Sequence, residues 1–462
     1  MGRRSRTFRK KLAATPVEVE VEVSALASGG SCVGTITSGK PSIAPSPASS
    51  VEGSQVAQQT ESSSFIEKLI GKKIFTPYCI PGETITSRVI MDHKSYCEGE
   101  LVSIGSASPH RVTPVCPHFG SCGGCDLQHI SLPFQREIKR QMLEGDLLKG
   151  GGIIPFKGVT LLTDTLPGFG YRRRMSFHLN KKGEFGLYKK SGRQIAELSH
   201  CPIATDSINQ CLALHLDKII KCGPEAETVT LEDHDGEIYL AFEVHPRAVE
   251  AAHALLAKPT FKSLCEELKN VQVNYRHKPV FQMRSGIRNT DQEPPIGHFS
   301  QNNALANTVM LDEICRVVTT EGVTDLYAGA GNISLPLAAK GHQVHAVELD
   351  PHLVEFGKKR AHSLGLSDRV EFVQMACERW IESGSPDKTV VLDPPRGGAF
   401  EVAKRLTPTT SPHLVYVSCY PPTFVRDSGE LIARGYRCES VKLLDMFPQT
   451  YHCELVAEFR AA

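Results

Sequence analysis

The stretch VTDLYAGAGNISLPLAAKG, residues 323–341, joins a short apolar run to a glycine-rich turn and a helix-like segment. The strand-like segment HQVHAVELD follows and ends at Glu348. A strand, a glycine turn, a helix and a second strand in this order are typical of a doubly wound parallel sheet. We therefore expect the C-terminal third of the chain to be an α/β domain of the Rossmann-like type.

Three further strands are predicted downstream, at RVEFVQM (369–375), KTVVLDPP (388–395) and HLVYVSC (413–419), with helical connections between several of them. The last two strand-like segments, YRCESVKLLD and YHCELVAEF, lie too close together for a helical crossover. A parallel pair needs such a crossover, whereas an antiparallel pair does not. The sheet is therefore predicted to end in an antiparallel hairpin.

The glycine-rich turn indicates a nucleotide-like ligand. Gly329 and Gly331 allow close approach of a ligand, and Glu348, 17 residues past Gly331, can accept hydrogen bonds from ribose hydroxyls. A dinucleotide fingerprint needs a third glycine at position 334, which is Ser334. This departure, the terminal hairpin and the Pro-Pro pair after Asp393 favour S-adenosylmethionine over a nicotinamide cofactor.

Two segments at predicted strand ends carry reactive side chains. LDPPRGG supplies Asp393 and Arg396 on a proline-fixed turn, and YVSCYPP supplies Cys419 just before a proline pair. Open α/β sheets bind substrates at the carboxyl ends of their strands. From its position alone, Cys419 is equally well interpreted as a nucleophile or as a small apolar residue that caps a strand.

The segment CPHFGSCGGCDLQ, residues 116–128, places Cys116, Cys122 and Cys125 at a C-x5-C-x2-C spacing. No secretory signal and no membrane-spanning apolar run is evident, so we expect a reducing, cytoplasmic location in which disulfides do not persist. Clustered thiolates suit zinc and iron–sulfur clusters alike. The spacing leaves both alternatives open and does not identify a fourth ligand.

The net charge is only +1, so any affinity for nucleic acid must come from local clusters of charge. Residues 1–12 are basic and free of acids, as in a mobile arm or an organelle transit peptide. Residues 169–193 contain eight Lys or Arg, one acid and five aromatics, which suits phosphates and stacked, unpaired bases. A hairpin with one solvated face explains this second cluster equally well.

The N-terminal region alternates apolar and acidic residues from Val17 and then becomes rich in Ser, Pro, Ala and Gln over residues 37–64. Such a segment buries too little apolar surface to offset the entropy of ordering, so we predict a disordered insertion. Strand signals resume at residues 72–91 and 95–104. Together these strands predict a small five-stranded OB-like barrel, a common RNA-binding accessory.

Several motifs occur in the order and spacing of one family: CPHFGSCGGCDLQ, YRRRMSFHL, HFSQNN, LYAGAGNISLPLA, LDPPRGG, VYVSCYPPTFVRD and MFPQTYHCELV. The chain resembles the RNA uridine-5 methyltransferases, and most closely their iron–sulfur-containing 23S rRNA branch, the RlmD (RumA) type. The resemblance covers the chain apart from the basic arm and the insertion. It implies methyl transfer from S-adenosylmethionine to C5 of a uridine in RNA, with 23S rRNA as the expected substrate.

The resemblance also implies functional residues. Cys419 adds to C6 of the uracil ring and Glu454 later removes the C5 proton; the site should therefore favour ionisation of the Cys419 thiol. Position 420, usually Asn in the family, is Tyr420 here. The implied cofactor contacts are Gln301, Tyr327, Asn332, Glu348 and Asp393. The implied ligands of a [4Fe–4S] cluster are Cys116, Cys122, Cys125 and Cys201.

The expected organisation is a basic arm and TRAM-like barrel in residues 1–110, a central iron–sulfur and RNA-binding α+β domain in 111–296, and a methyltransferase domain in 297–462. We expect a monomer whose partner is RNA, without membrane association. A tRNA uridine-5 methyltransferase and a catalytically silent RNA-binding protein remain alternatives. A silent protein has no need for Cys419 and Glu454, and both are present.

Overall fold

The computed structural model describes residues 17–41, 64–150, 158–190, 192–223, 226–244, 249–276, 278–283, 301–383 and 386–462. The basic arm and most of the predicted insertion lie outside these residues. Within them, no helix is long and apolar enough to cross a membrane. By its contacts the chain divides into two compact units, which are described separately.

The first unit comprises Met1–Val115, Cys125–Met142 and Gln449–Tyr451. Its centre is a closed five-stranded barrel with strand order β1-β2-β3-β5-β4, which confirms the predicted barrel. The strands are β1 (Val17–Leu26), β2 (Ser31–Pro41), β3 (Lys73–Pro77), β4 (Thr84–Asp92) and β5 (Tyr96–Ser106).

The barrel forms because its first strand alternates strictly between apolar and polar residues. Val17, Val19 and Val21 are buried, whereas the glutamates between them face outward. Strand β2 continues to Pro41 and pairs with β1 over its whole length. It therefore extends beyond residue 37, where the alternating pattern of the sequence stops, because pairing with β1 holds four more residues in the sheet.

Hydrogen bonds of Gln449 join the short segment 449–451 to this unit. The Gln449 carbonyl oxygen accepts from the N–H groups of Asp126 and Leu127 at 2.8 and 2.9 Å. Gln135 donates through Nε2 to Oε1 of Gln449 at 2.9 Å, and the backbone N–H of Gln449 donates to Oε1 of Gln135 at 3.0 Å. Gln135 lies on helix α1, Leu132–Lys149.

The second unit comprises Cys116–Gly124, Leu143–Pro448 and His452–Ala462. It contains a seven-stranded sheet with order β13-β12-β11-β10-β7-β8-β9 and an eight-stranded sheet with order β16-β15-β14-β17-β18-β20-β19-β6. The three predicted domains remain a prediction, since the division into two units concerns contacts rather than separate folding.

The seven-stranded sheet contains the basic stretch as a hairpin of β7 and β8. One of its faces is apolar, with Met175 and Phe177 buried, and helix α2 packs nearby on β10 and β11. The strands are β7 (Arg174–Leu179), β8 (Phe185–Tyr188), β9 (Ile195–Glu197), β10 (Ala226–His234), β11 (Glu237–Val244), β12 (Val271–Tyr275) and β13 (Lys278–Met283). The helices are α2 (Asp206–Cys222), α3 (Val249–Ala257) and α4 (Pro259–Leu268).

The eight-stranded sheet confirms the predicted Rossmann-like α/β fold. Its strands are β6 (Val159–Leu161), β14 (Gly322–Leu326), β15 (Gln343–Glu348), β16 (Val370–Gln374), β17 (Thr389–Leu392), β18 (His413–Ser418), β19 (Tyr436–Leu444) and β20 (Glu454–Ala461). Its helices are α5 (Ala304–Val317), α6 (Ser334–Ala339), α7 (Pro351–Ser363), α8 (Cys377–Glu382), α9 (Phe400–Ala403) and α10 (Pro421–Ala433).

Five strands of this sheet, β14 to β18, run parallel, and β20 pairs antiparallel with both β18 and β19. The terminal hairpin is therefore confirmed. The edge strand β6 pairs with β19 and was not predicted, because three residues are too few to show a periodic pattern. All four residues of β17 are buried, as expected for a central parallel strand covered on both faces.

Candidate active site

The register of two neighbouring strands brings a thiol and a carboxyl group together. Strands β18 and β20 pair antiparallel, with Ser418 opposite Leu455. The next position along each strand is Cys419 on one side and Glu454 on the other. The two predicted catalytic residues, 35 positions apart in the chain, thus lie at the edge of the sheet where the parallel strands have their carboxyl ends.

The turn after β14 has the conformation required for close approach of a ligand. Tyr327, Gly329 and Gly331 have φ angles of 63°, 56° and 85°, in the left-handed region. A Cβ atom on Gly331 would lie 2.9 Å from the Phe372 ring, so a side chain has no room there. Tyr327 adopts this region without being glycine, which indicates local strain at the turn.

Glu348 ties this turn to the end of β15. Its Oε2 atom accepts a hydrogen bond from the Gly329 N–H at 3.0 Å. Its Oε1 atom accepts from the N–H groups of Leu349 and Asp350 at 2.7 and 2.8 Å. The carboxylate that is predicted to bind ribose hydroxyls is thus held in place by three backbone donors.

Asn332 is bonded to a residue that sequence reasoning missed. Each Nδ2 of Asn307 and Asn332 donates to the Oδ1 of the other at 3.0 Å, so helix α5 is attached to the glycine turn. The predicted contact Gln301 lies just before this helix and is 8 % exposed. Its carbonyl oxygen accepts a hydrogen bond from Arg173 Nε at 2.8 Å.

Two carboxyl groups at or next to the site, those of the buried Asp325 and the half-buried Asp393, have raised pKa values. Burial raises the pKa of Asp325 to about 7, and the nearby charge of Asp393 adds to the effect. Ser334 Oγ donates to Oδ2 of Asp325, which gives Ser334 a role at the position where a dinucleotide fingerprint has glycine. Burial also raises the pKa of Asp393 to about 6. Asp325 therefore retains a proton in part of the molecules at neutral pH.

The thiol of Cys419 is hard to ionise in the protein without ligands. Burial, followed by the negative charges of Glu454 and Asp393, raises its pKa to about 11, while Arg396 acts in the opposite direction. The expectation that the site favours ionisation is wrong for this state, because two carboxyl groups and desolvation outweigh one guanidinium. Burial, with the charge of Asp393, also raises the pKa of Glu454 well above its usual value.

Helix α10 holds the loop that carries Asp393 and Arg396. The fully buried Asp427 accepts hydrogen bonds through Oδ2 from the Ala399 N–H at 2.6 Å and from the Tyr416 hydroxyl at 2.7 Å. Arg426 donates to the Gly397 carbonyl oxygen at 2.9 Å. Arg426 and Asp427 belong to the FVRD end of the motif VYVSCYPPTFVRD. This motif was the only feature of the sequence that pointed to their hydrogen bonds with the loop.

Three of the predicted cluster cysteines lie near one another in the second unit. The charges of Cys116 and Cys201 contribute to a raised pKa of the Cys122 thiol, after the larger effect of burial. Burial raises the pKa of the Cys201 thiol, although the nearby backbone N–H groups of Ile203 and Ala204 act in the opposite direction. Cys125 belongs to the first unit. Within the described ranges, no group of three or more His, Cys, Asp and Glu could hold a metal ion.

The fold and this edge of the sheet define the class of protein. It is a Rossmann-like α/β protein in which one sheet carries both the glycine-rich turn after β14 and the neighbouring Cys419 and Glu454. A profile of the tRNA (Uracil-5-)-methyltransferase family matches residues 287–387. The chain is 32 % identical to the 23S rRNA (uracil(1939)-C(5))-methyltransferase RlmD of a Shewanella species, over 85 % of this chain and 92 % of that protein. It is 30 % identical to RlmD of Acidithiobacillus ferrooxidans, over 85 % and 94 %.

The chain belongs to the RNA uridine-5 methyltransferase family and is RlmD-like. Among solved structures, it is similar in fold to the Pyrococcus abyssi tRNA (uracil-54, C5)-methyltransferase in complex with S-adenosyl-L-homocysteine. That likeness has a TM-score of 0.66 at 23 % identity and covers 84 % of this chain and 94 % of the other. It supports the fold.

Proposed function

We propose that this protein transfers a methyl group from S-adenosylmethionine to C5 of a specific uridine in RNA, with 23S rRNA as the substrate. The observation that carries the proposal is the placement of Cys419 and Glu454 at the carboxyl edge of the sheet, each one position beyond the Ser418–Leu455 pair and near Asp393. The choice of 23S rRNA is supported by the RlmD relatives, which are 23S rRNA methyltransferases by name and align with 85 % of this chain.

The turn after β14 and the carboxylate of Glu348 fit a nucleoside-containing cofactor. The left-handed glycines leave the backbone accessible, and an acid at the end of the second strand is where ribose hydroxyls bind in such sheets. Gln301, Tyr327, Asn332, Glu348 and Asp393 are the residues that we expect to hold it. The cofactor supplies the electrophilic methyl group.

Cys419 is the proposed nucleophile. Carbon C5 of uracil is too weak a nucleophile to take a methyl group unaided. When the Cys419 thiolate adds to C6, the electron pair of the C5–C6 double bond becomes available at C5 as an enolate, which attacks the methyl carbon. Addition of the thiolate forms the sulfur–C6 bond. Attack by C5 would form the C5–methyl bond while the bond between the methyl carbon and the sulfonium sulfur breaks, with its electron pair left on that sulfur. C5 then carries both a methyl group and a proton.

Glu454 is the proposed base for the second half of the cycle. Removal of the C5 proton restores the C5–C6 double bond as the sulfur–C6 bond breaks, which returns the Cys419 thiolate. Glu454 is 3 % exposed, and the burial that raises its pKa also makes its carboxylate a stronger base once ionised. In its neutral form, Glu454 does not repel the attacking thiolate.

The hairpin of β7 and β8 is proposed to contact unpaired RNA. Tyr188 is exposed and stacks on His178, with ring centroids 3.6 Å apart and planes at 14°. The exposed Lys181, Lys182 and Lys190 belong to the same hairpin region. Aromatic rings flanked by cations suit stacked bases and their phosphates. The target uridine must also leave its stack to reach Cys419.

A [4Fe–4S] cluster held by Cys116, Cys122, Cys125 and Cys201 is proposed as a structural element. The backbone N–H of Gly124 donates to the sulfur atom of Cys122 at 3.4 Å. Arg172 lowers the pKa of the Cys122 and Cys201 thiols, although burial outweighs it. Such donors stabilise thiolate ligands. A four-iron cluster is larger than a single ion, so its ligands lie further apart than those of a single-ion site.

The proposed function also includes a TRAM-like role for the barrel, a cytoplasmic location and a monomeric state.

The test separates the two halves of the cycle. In the Glu454→Gln variant, Cys419 should still add to C6 and the methyl group should still be transferred, but elimination should not follow. Methylated RNA should then stay covalently bound to the protein and appear as a denaturant-resistant band on a gel. Cys419→Ala and the double variant should give no band. Glu458→Gln, on the same strand, is the matched control and should turn over.

Two results would count against this proposal. Full turnover by Glu454→Gln would remove it as the essential base, and an undiminished band with Cys419→Ala would move the nucleophile elsewhere. Offering 23S rRNA fragments and tRNA transcripts side by side tests the substrate. Modification of tRNA alone would favour the tRNA alternative, and no modification of either would favour a silent RNA-binding protein.

A further inference from the structure

The residue after the nucleophile makes a contact that the side chain of asparagine cannot make. Tyr420 is 37 % exposed, and the guanidinium carbon of Arg396 lies 5.1 Å from the centre of its ring. A guanidinium over a tyrosine ring is attracted by the negative face of the ring. Arg396 belongs to the loop after β17, and Tyr420 directly follows Cys419, so this contact joins the two segments that border the site.

A second link joins the backbones of these two segments. Thr423 Oγ1 lies 3.2 Å from the Arg396 carbonyl oxygen and 3.1 Å from the Tyr420 carbonyl oxygen, so its single O–H is shared between these two acceptors. The backbone separation of Arg396 and Tyr420 is therefore held by the first turn of α10. What remains free to vary is the direction of the long Arg396 side chain, which is otherwise exposed.

The direction of that side chain matters because three charged groups act on the Cys419 thiol. Glu454 from β20 and Asp393 from the loop after β17 oppose its ionisation, and Arg396 is the one among them that assists it. A guanidinium that swings into solvent loses most of its effect, since solvent screens the interaction. Whatever holds Arg396 near Cys419 thus influences how much thiolate is present.

We propose that Tyr420 is a positioning residue whose ring holds the Arg396 guanidinium where it stabilises the Cys419 thiolate. This inference rests on the proposed role of Cys419 as nucleophile. It assigns a function to the position at which this chain departs from the usual family residue.

Tyr420 does not cap helix α10 with its side chain. Tyr420 is the N-cap residue of α10 and makes no side-chain cap hydrogen bond. Pro421 and Pro422 have no backbone N–H, so the first N–H that an N-cap side chain could bind is that of Thr423, which here donates to the Tyr420 carbonyl oxygen at 3.2 Å. Asparagine accepts such a bond well, whereas tyrosine does not. Capping of α10 thus does not explain the tyrosine, and Tyr420→Asn should be no less stable than the wild type.

The test is the pH dependence of Cys419 alkylation by iodoacetamide in the full-length protein without RNA or cofactor, followed by mass spectrometry of the Cys419 peptide. Tyr420→Leu and Tyr420→Asn should raise the apparent pKa by about half a unit and slow alkylation roughly threefold below it. Tyr420→Phe keeps the ring and should match the wild type. Tyr275→Leu removes the similar ring contact with Arg276, 5.2 Å away, and should shift nothing.

Arg396→Gln should raise the apparent pKa of Cys419 at least as much as Tyr420→Leu does. The double variant Arg396→Gln/Tyr420→Leu should raise it no further than Arg396→Gln alone. An unchanged profile in Tyr420→Leu and Tyr420→Asn would overturn the inference. So would an equal shift in Tyr420→Phe, which would assign the effect to the hydroxyl group. These measurements need no methyl transfer, so they are distinct from the proposed function, which fails if Cys419→Ala still methylates RNA.

Discussion

The side-chain amides of Asn307 and Asn332 are hydrogen-bonded to each other in both directions at 3.0 Å. Asn332 belongs to the glycine turn and Asn307 to helix α5, so this pair connects the cofactor turn to the helix that follows Gln301. Asn332 therefore fixes the turn to helix α5, in addition to its proposed contact with the cofactor.

Replacing either asparagine by leucine should weaken binding of S-adenosylmethionine. Each substitution leaves the other amide without its partner, which costs about 1–2 kcal/mol and corresponds to a roughly 5–30-fold higher Kd. The double variant should lose little more than one single variant. Titration calorimetry measures the Kd, with Thr308→Val on the same helix as control. Strictly additive losses would show that the two amides act independently.

Gly398→Ala should disrupt the loop that carries Asp393 and Arg396. Gly398 has a φ of 76°, and a Cβ atom there would lie 2.4 Å from Oδ2 of Asp427. We expect a loss of about 1–3 kcal/mol in the free energy of unfolding and at least tenfold slower methyl transfer. Gly397→Ala is the matched control, because its Cβ meets nothing within 4 Å. Equal effects of both substitutions on denaturant unfolding would contradict this explanation.

Alkylation of Cys419 should be slow at pH 7–8 and rise with pH towards the pKa of about 11. The thiolate is the reactive, charged form, so removing a negative neighbour lowers the thiol pKa and removing a positive neighbour raises it. Glu454→Gln should therefore shift the alkylation profile to lower pH and Arg396→Gln to higher pH. Shifts of the same sign in both variants would contradict the electrostatic explanation.

Protein purified without oxygen should be brown and contain iron, and Cys201→Ser should lose both properties. The reason is that Cys116, Cys122 and Cys201 lie near one another although Cys201 is distant from the other two in the chain. Cys211→Ser, a buried cysteine of helix α2, is the control and should retain iron. Metal analysis that finds stoichiometric zinc and no iron in the wild type would exclude the cluster.

Much of the fold could be predicted from the sequence because it follows from local patterns. Alternating valines and glutamates predict β1, and the run that ends in the glycine turn predicts β14 and α6. The antiparallel hairpin of β19 and β20 follows from the short connection between its strands. The motifs also single out Cys419 and Glu454, although their roles remain proposals. Strand β6, at three residues, carries too little pattern to be predicted.

The tertiary structure alone decided how the site is assembled. The antiparallel register of β18 and β20 places Glu454 beside Cys419, and no pattern within either segment specifies that register. The pKa of Cys419 depends on burial and on charges from β20 and from the loop after β17, so the sequence led to an expectation of the wrong sign. The sequence likewise did not predict the hydrogen bonds of Asn307 and Asp427 or the contact of Arg396 with Tyr420. Hydrogen bonds and Coulomb interactions act through space between residues that are distant in the chain.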